Sequence, residues 1–83
     1  MSNDNLSSSE IEQKLHKIFS NILGREISKI ESIRRENESK WDSLKHIELV
    51  FAVEDAFSVQ FNAEEIPYLN SQKEFVVAIE KLL

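Results

Sequence analysis

Apolar residues recur at helical spacing in two parts of the chain and on two faces of a third. Ile11, Leu15, Ile18, Phe19 and Ile22 follow the three-four rhythm of one helix face. Two candidate capping boxes, Ser7 with Glu10 and Ser9 with Glu12, precede that run, and Gly24, the only glycine, follows it as a helix-ending residue should. The pattern predicts a first helix over about residues 9–23, after a polar, frayed start over residues 1–7. Residues 25–40 carry little periodicity. They read as a long connection, with Ile27, Ile30 and Ile33 pinning it to the core and room for a short helical turn.

The second helix is predicted from Asp42 or Ser43 to Phe57, with Asp42 a good N-cap. Ser58, Val59 and Phe61 mark a break and an extended link. Ala63 to Ile66 form one short turn, interrupted by Pro67. Ser71 with Glu74 is a third capping box, and Phe75, Val76, Ile79, Leu82 and Leu83 stripe a last helix. No segment alternates convincingly as a strand. The expected fold is all-α: one domain over residues 1–83, a small bundle of three main helices plus one short helix.

The second helix has more apolar surface than one core contact requires. At about 100° per residue, Leu49, Val50, Val53 and Phe57 share one side. Leu44, Ile47 and Phe51 fall nearly opposite, flanked by Glu48 and Asp55. Two readings of this second stripe stand. Either the loop and the short turn cover it, Leu44 above all, or it is a partner-docking surface with apolar anchors and charges at its rim.

Charge narrows the partners. Residues 1–41 hold seven acidic and seven basic side chains, and residues 42–83 hold eight and three. The whole negative excess lies in the second half. Such a surface repels nucleic-acid backbones and attracts a basic protein partner. The absence of cysteine excludes disulfides, a thiolate metal site and a thiol nucleophile. The start lacks a basic region followed by an apolar run, and no apolar stretch is long enough to span a bilayer, so a cytoplasmic protein is expected. With no sign of a stable oligomer in the sequence, a monomer is expected.

Candidate chemistry centres on KWDSLKHIEL, residues 40–49. A serine in the first turn of a helix is commonly a cap. It also lies beside unsatisfied backbone N–H groups and the positive end of the helix dipole, which suits a phosphate ester. Ser43 and His46 lie three apart, but a chain this small offers little for the oxyanion hole and oriented base of a hydrolase. His16 and His46 have no metal-ligand spacing and are expected at the surface or boundary.

The stretch Asp42-Ser43-Leu44, with Ile47-Glu48-Leu49-Val50 and Val53-Glu54-Asp55-Ala56-Phe57 after it, resembles the acyl carrier protein family and its peptidyl carrier relatives. The resemblance covers most of the chain: helix, long loop, Asp-Ser-Leu helix, short helix, last helix. It implies a carrier that is not itself an enzyme. Ser43 would bear a covalent 4′-phosphopantetheine arm, transferred from coenzyme A by a magnesium-dependent phosphopantetheinyl transferase (holo-synthase). Asp42 would help place the serine and bind near the transferase's metal, and Leu44 would complete the cofactor-binding set. The arm's thiol would hold an acyl or aminoacyl thioester, which makes sense of a chain without cysteine.

Further partners implied are an acyl-activating or ligase enzyme and an acyltransferase or synthase, reading Leu44, Ile47, Glu48, Phe51 and Asp55. The residues Leu49, Val50, Val53, Phe57, Phe61, Ile66 and Phe75 are either ordinary core or a shelter for an acyl chain. Trp41 before the motif and Lys45 and His46 after it depart from housekeeping fatty-acid carriers. They look more like stand-alone carriers of polyketide, nonribosomal peptide, sugar- or lipid-modifying pathways, or a D-alanyl carrier. The alternative is a carrier-like helical module that binds partners and is never modified.

Overall fold

The computed structural model describes residues 7–28 and 32–83, and Ile30 and residues 1–6 lie outside them. Among the described residues three α-helices make the fold: α1 (Ser8–Leu23), α2 (Ser43–Phe57) and α3 (Gln72–Leu82). Of the two candidate boxes before α1, Ser7 with Glu10 forms: the Ser7 hydroxyl accepts from the Glu10 N–H, and the Glu10 carboxylate takes the Ser7 N–H. Gly24 closes α1 in the left-handed region at φ 74°, and its N–H reaches the Ser20 carbonyl. Ser58 does the same for α2 at φ 55°. At α3, Ser71 accepts from the Glu74 N–H.

The fourth element starts where expected and extends further along the chain. A hydrogen-bonded turn forms over residues 63–65 as expected, with the Glu65 N–H on the Asn62 carbonyl at 2.9 Å, and it runs on into a 3₁₀ turn at Ile66–Tyr68 with Pro67 inside it. Proline fixes φ and lacks an N–H, so it suits the first turn of a 3₁₀ segment and does not interrupt it. A second 3₁₀ turn forms at Arg35–Asn37 within the long connection. All-α architecture thus holds as three α-helices and two 3₁₀ turns among the described residues.

The core runs through all three helices. Ile11, Leu15, Phe19 and Leu23 of α1 face Leu49, Val50, Val53 and Phe57 of α2, with Phe75, Val76 and Ile79 of α3 in the same cluster. Leu82 and Leu83 are exposed and do not extend the α3 stripe; Ala78 is buried in their place. Phe19, Phe75 and Trp41 make edge-on or tilted ring contacts with centroids 5.4–6.4 Å apart, and each such pair adds about 0.5–1.5 kcal/mol beyond area burial.

The long connection is pinned from both ends. Ile33 is fully buried and Ile27 packs partly against the core. Arg25 clamps Glu38 through two nitrogens, Nη2 at 2.6 Å and Nε at 3.1 Å. Backbone bonds from Arg35 N–H to Asn70 O (2.8 Å) and from Gln72 N–H to Ile33 O (2.9 Å) tie the connection to the entry of α3.

Candidate functional site

Asp42 and Ser43 divide the work at the start of α2. Asp42 is the N-cap: its carboxylate accepts from the Lys45 N–H at 2.9 Å, and its carbonyl takes the His46 N–H at 2.9 Å. Ser43 is the first helical residue. Its side chain is exposed, and among the described residues its hydroxyl has no hydrogen-bond partner. The N–H groups of Ser43 and Leu44 also lack a protein acceptor there, as expected for the first turn of a helix. The hydroxyl is therefore not the cap. It stands free in solvent at the positive end of a 15-residue helix.

This division has a measurable consequence. Asp42→Ala removes the cap and should destabilise the fold by about 1 kcal/mol. Ser43→Ala removes no bond and should shift the thermal midpoint much less. Equal losses for the two variants would refute the assignment of Asp42 as the sole cap.

Down the helix, the second apolar stripe is uncovered. Leu44 is 66% exposed, Ile47 44% and Phe51 65%. The reading in which the loop or short turn covers Leu44 is thereby overturned; the connection turns instead toward Asn70 and Gln72. Of the flanking carboxylates, Glu48 is half-buried and receives Lys45 Nζ at 3.3 Å, whereas Asp55 is exposed. The Lys45 charge is thus partly neutralised within its own helix. A single exposed pair of this kind contributes little to stability.

The expectation for His46 is wrong. It is buried, at 5% exposure, and both ring nitrogens are used. Trp41 Nε1 donates to its Nδ1 at 3.0 Å, and its Nε2 lies 2.8 Å from the Ile66 carbonyl oxygen. An indole nitrogen only donates, so Nδ1 accepts and Nε2 carries the proton given to Ile66. Neither nitrogen is available to Ser43, which removes the serine–histidine pair as a nucleophile and base. His16 is half-buried, as a boundary residue should be. Among the described residues, no group of three or more metal-ligating side chains comes together.

No protein-family model matches the chain.

The residues offered as acyl shelter divide by burial. Leu49, Val50, Val53, Phe57, Phe61 and Phe75 are buried members of the core cluster, and Ile66 packs partly against it. Glu54 closes the far end of α2 by accepting the Phe61 N–H at 2.8 Å, which draws the following link back onto the helix. Among the described residues, no helix is long and apolar enough to cross a membrane.

What sequence reasoning missed is the buried link from Trp41 through His46 to Ile66. The signal was present. At 100° per residue, His46 falls inside the arc of Leu49, Val53 and Phe57, so helical periodicity alone places it toward the core. Trp41 and His46 also stand at the two positions, just before a cap and four residues into the helix, where side chains commonly pack together.

Proposed function

We propose that this chain is a carrier protein: Ser43 receives a 4′-phosphopantetheine arm from coenzyme A. The Oγ–phosphorus bond forms as the pyrophosphate P–O bond of coenzyme A breaks, with 3′,5′-adenosine bisphosphate leaving and the hydroxyl proton passing to a base of the transferase. The arm supplies a terminal thiol that holds an acyl or aminoacyl group as a thioester. The observation that carries this reading is the unpartnered, solvent-facing hydroxyl of Ser43 beside a separate capping aspartate. A capping serine would be occupied; this one is not. The adjoining free N–H groups and the helix dipole suit a phosphodiester oxygen at that place.

The other supports are the Asp42-Ser43-Leu44 motif with its downstream helix, and the three-helix frame with a long first connection. Asp42 is exposed and holds the helix start on which the serine is displayed, its carboxylate capping the Lys45 N–H. Leu44, Ile47 and Phe51, with Glu48 and Asp55 at the rim, form the surface for the transferase and for the enzymes that load and use the cargo. The negative excess of the second half of the chain would steer basic partners to it.

Intact mass tests the reading directly. The purified chain, incubated with coenzyme A, magnesium and a broad-specificity phosphopantetheinyl transferase, should gain one phosphopantetheinyl group. Repeated failure of the folded chain to gain it, with carrier controls loaded in parallel, would favour an unmodified interaction module using the same α2 surface.

The surface assignment has its own test. Phe51→Ala removes an exposed ring, so stability should change by less than about 0.5 kcal/mol. As a central anchor, its loss should lower kcat/KM for transfer by about fivefold or more, corresponding to about 1 kcal/mol. A large fall in melting temperature with unchanged turnover would show that Phe51 is structural.

A further inference from the structure

Trp41 and His46 bracket the proposed attachment serine, and their geometry is tighter than capping requires. Trp41 immediately precedes the N-cap, and His46 is the fourth helical residue. Apolar side chains at these positions often pack together and fix the angle at which the chain enters a helix. Here that contact is reinforced by a directed bond. The rings lie 6.0 Å apart and 23° from parallel, with the indole N–H donating to His46 Nδ1 at 3.0 Å. Asp42, Ser43, Leu44 and Lys45 are the residues between the two.

The pair is anchored on both sides. Trp41 is 3% exposed, packs edge-on against Phe19 of α1 and lies tilted against Phe75 of α3. His46 donates from Nε2 to the Ile66 carbonyl, the first residue of the 3₁₀ turn Ile66–Tyr68. A single imidazole therefore joins three pieces of chain: the end of the long connection, the first turns of α2 and the segment that precedes α3. An apolar residue at position 46 would pack there but would leave the buried indole N–H without a partner, at a real energetic cost.

We infer that His46 is a positioning residue for modification of Ser43, acting through Trp41 on one side and the Ile66 carbonyl on the other. It sets the direction in which the serine hydroxyl leaves the surface, and it makes the 3₁₀ segment part of the same rigid platform. This inference rests on the carrier reading. It goes beyond that reading by assigning a role to a buried ring that never touches the donor or the arm.

The test is steady-state transfer from coenzyme A to Ser43, followed by mass, for wild type, His46→Ala, His46→Gln and Trp41→Phe. Rates are expressed per folded molecule, measured well below each variant's thermal midpoint. A misdirected hydroxyl still docks through the α2 surface but reacts slowly, so kcat should fall while KM stays near wild type. His46→Ala should lose about tenfold or more in kcat, since misplacement by about 1 Å can cost a hundredfold. Trp41→Phe keeps a ring but lacks the donor and should fall in the same direction by less. His46→Gln retains an acceptor and a donor, and should recover part of the loss.

Wild-type kcat in folded His46→Ala or in Trp41→Phe would overturn the inference, whatever the melting temperatures do, because a purely structural contact moves stability alone. If His46→Ala does not fold, the other two variants decide. Failure of wild type itself to gain mass would overturn the carrier reading and the inference together. Loading of wild type with unchanged variant rates would overturn the inference alone.

Discussion

Ser43→Ala should take up no phosphopantetheinyl group under conditions that load the wild-type chain to completion, while its circular dichroism and melting temperature stay close to wild type. The expected loss is total because the bond that forms is to Oγ itself, and no neighbouring side chain can replace it. The serines next to it in sequence are poor substitutes. Ser39 precedes Trp41 in the long connection and is not at a helix start, and Ser58 sits at the opposite end of α2. The fold should be unaffected because Asp42 supplies the cap and the Ser43 side chain makes no bond among the described residues. Both halves of the result matter. Residual loading of the variant would move the attachment point to another hydroxyl. Loss of helix would mean that the serine supports the first turn after all.

The largest stability effect is expected at Phe75. Its ring is fully buried at the meeting point of the helices and contacts Phe19 at 5.5 Å, Phe61 at 5.9 Å and Trp41 at 6.4 Å between centroids. Phe75→Ala removes transfer energy and leaves a cavity bounded by three rings, costing about 3–5 kcal/mol. Domains of this size hold only about 5–15 kcal/mol in total, so much of the net stability should go. Urea unfolding should show a much lower midpoint with a similar slope. Trp41 is the only tryptophan, so its emission reports directly on the packing beside the lost ring. A cost below about 1 kcal/mol would mean that the neighbouring helices close over the gap, and that the aromatic cluster is not the keystone of this core.

The two experiments probe different parts of one arrangement. Phe75 supports Trp41 from beneath, and Trp41 with His46 holds the entry of α2. Ser43 itself projects from that entry into solvent and contributes no packing. A chain with little core to spare therefore separates its stability from its reactive hydroxyl. Chemistry at Ser43 can be removed without unfolding the protein, whereas damage to the core should disturb the site above it.

Local rules determined the frame. Helical periodicity, three capping serines or aspartates and one glycine in the left-handed region place α1, α2 and α3 within a residue or so of their observed limits, because these signals act over a single turn of chain. The same periodicity set Leu44, Ile47 and Phe51 apart from the core side of α2, and the Asp42-Ser43 pair marked the candidate site. Tertiary structure alone decided the rest. Which of two capping boxes formed, whether the connection covered Leu44, and where the 3₁₀ turns fell depend on how distant backbone groups pair, as Arg35 does with Asn70 and Gln72 with Ile33. The division of labour between Asp42 and Ser43 needed the position of each oxygen relative to the Lys45 N–H. His46 is the clearest case: helical phase points it inward, but only the folded chain brings the Trp41 indole to one nitrogen and the Ile66 carbonyl to the other, and a buried imidazole is tolerated when both nitrogens are so satisfied.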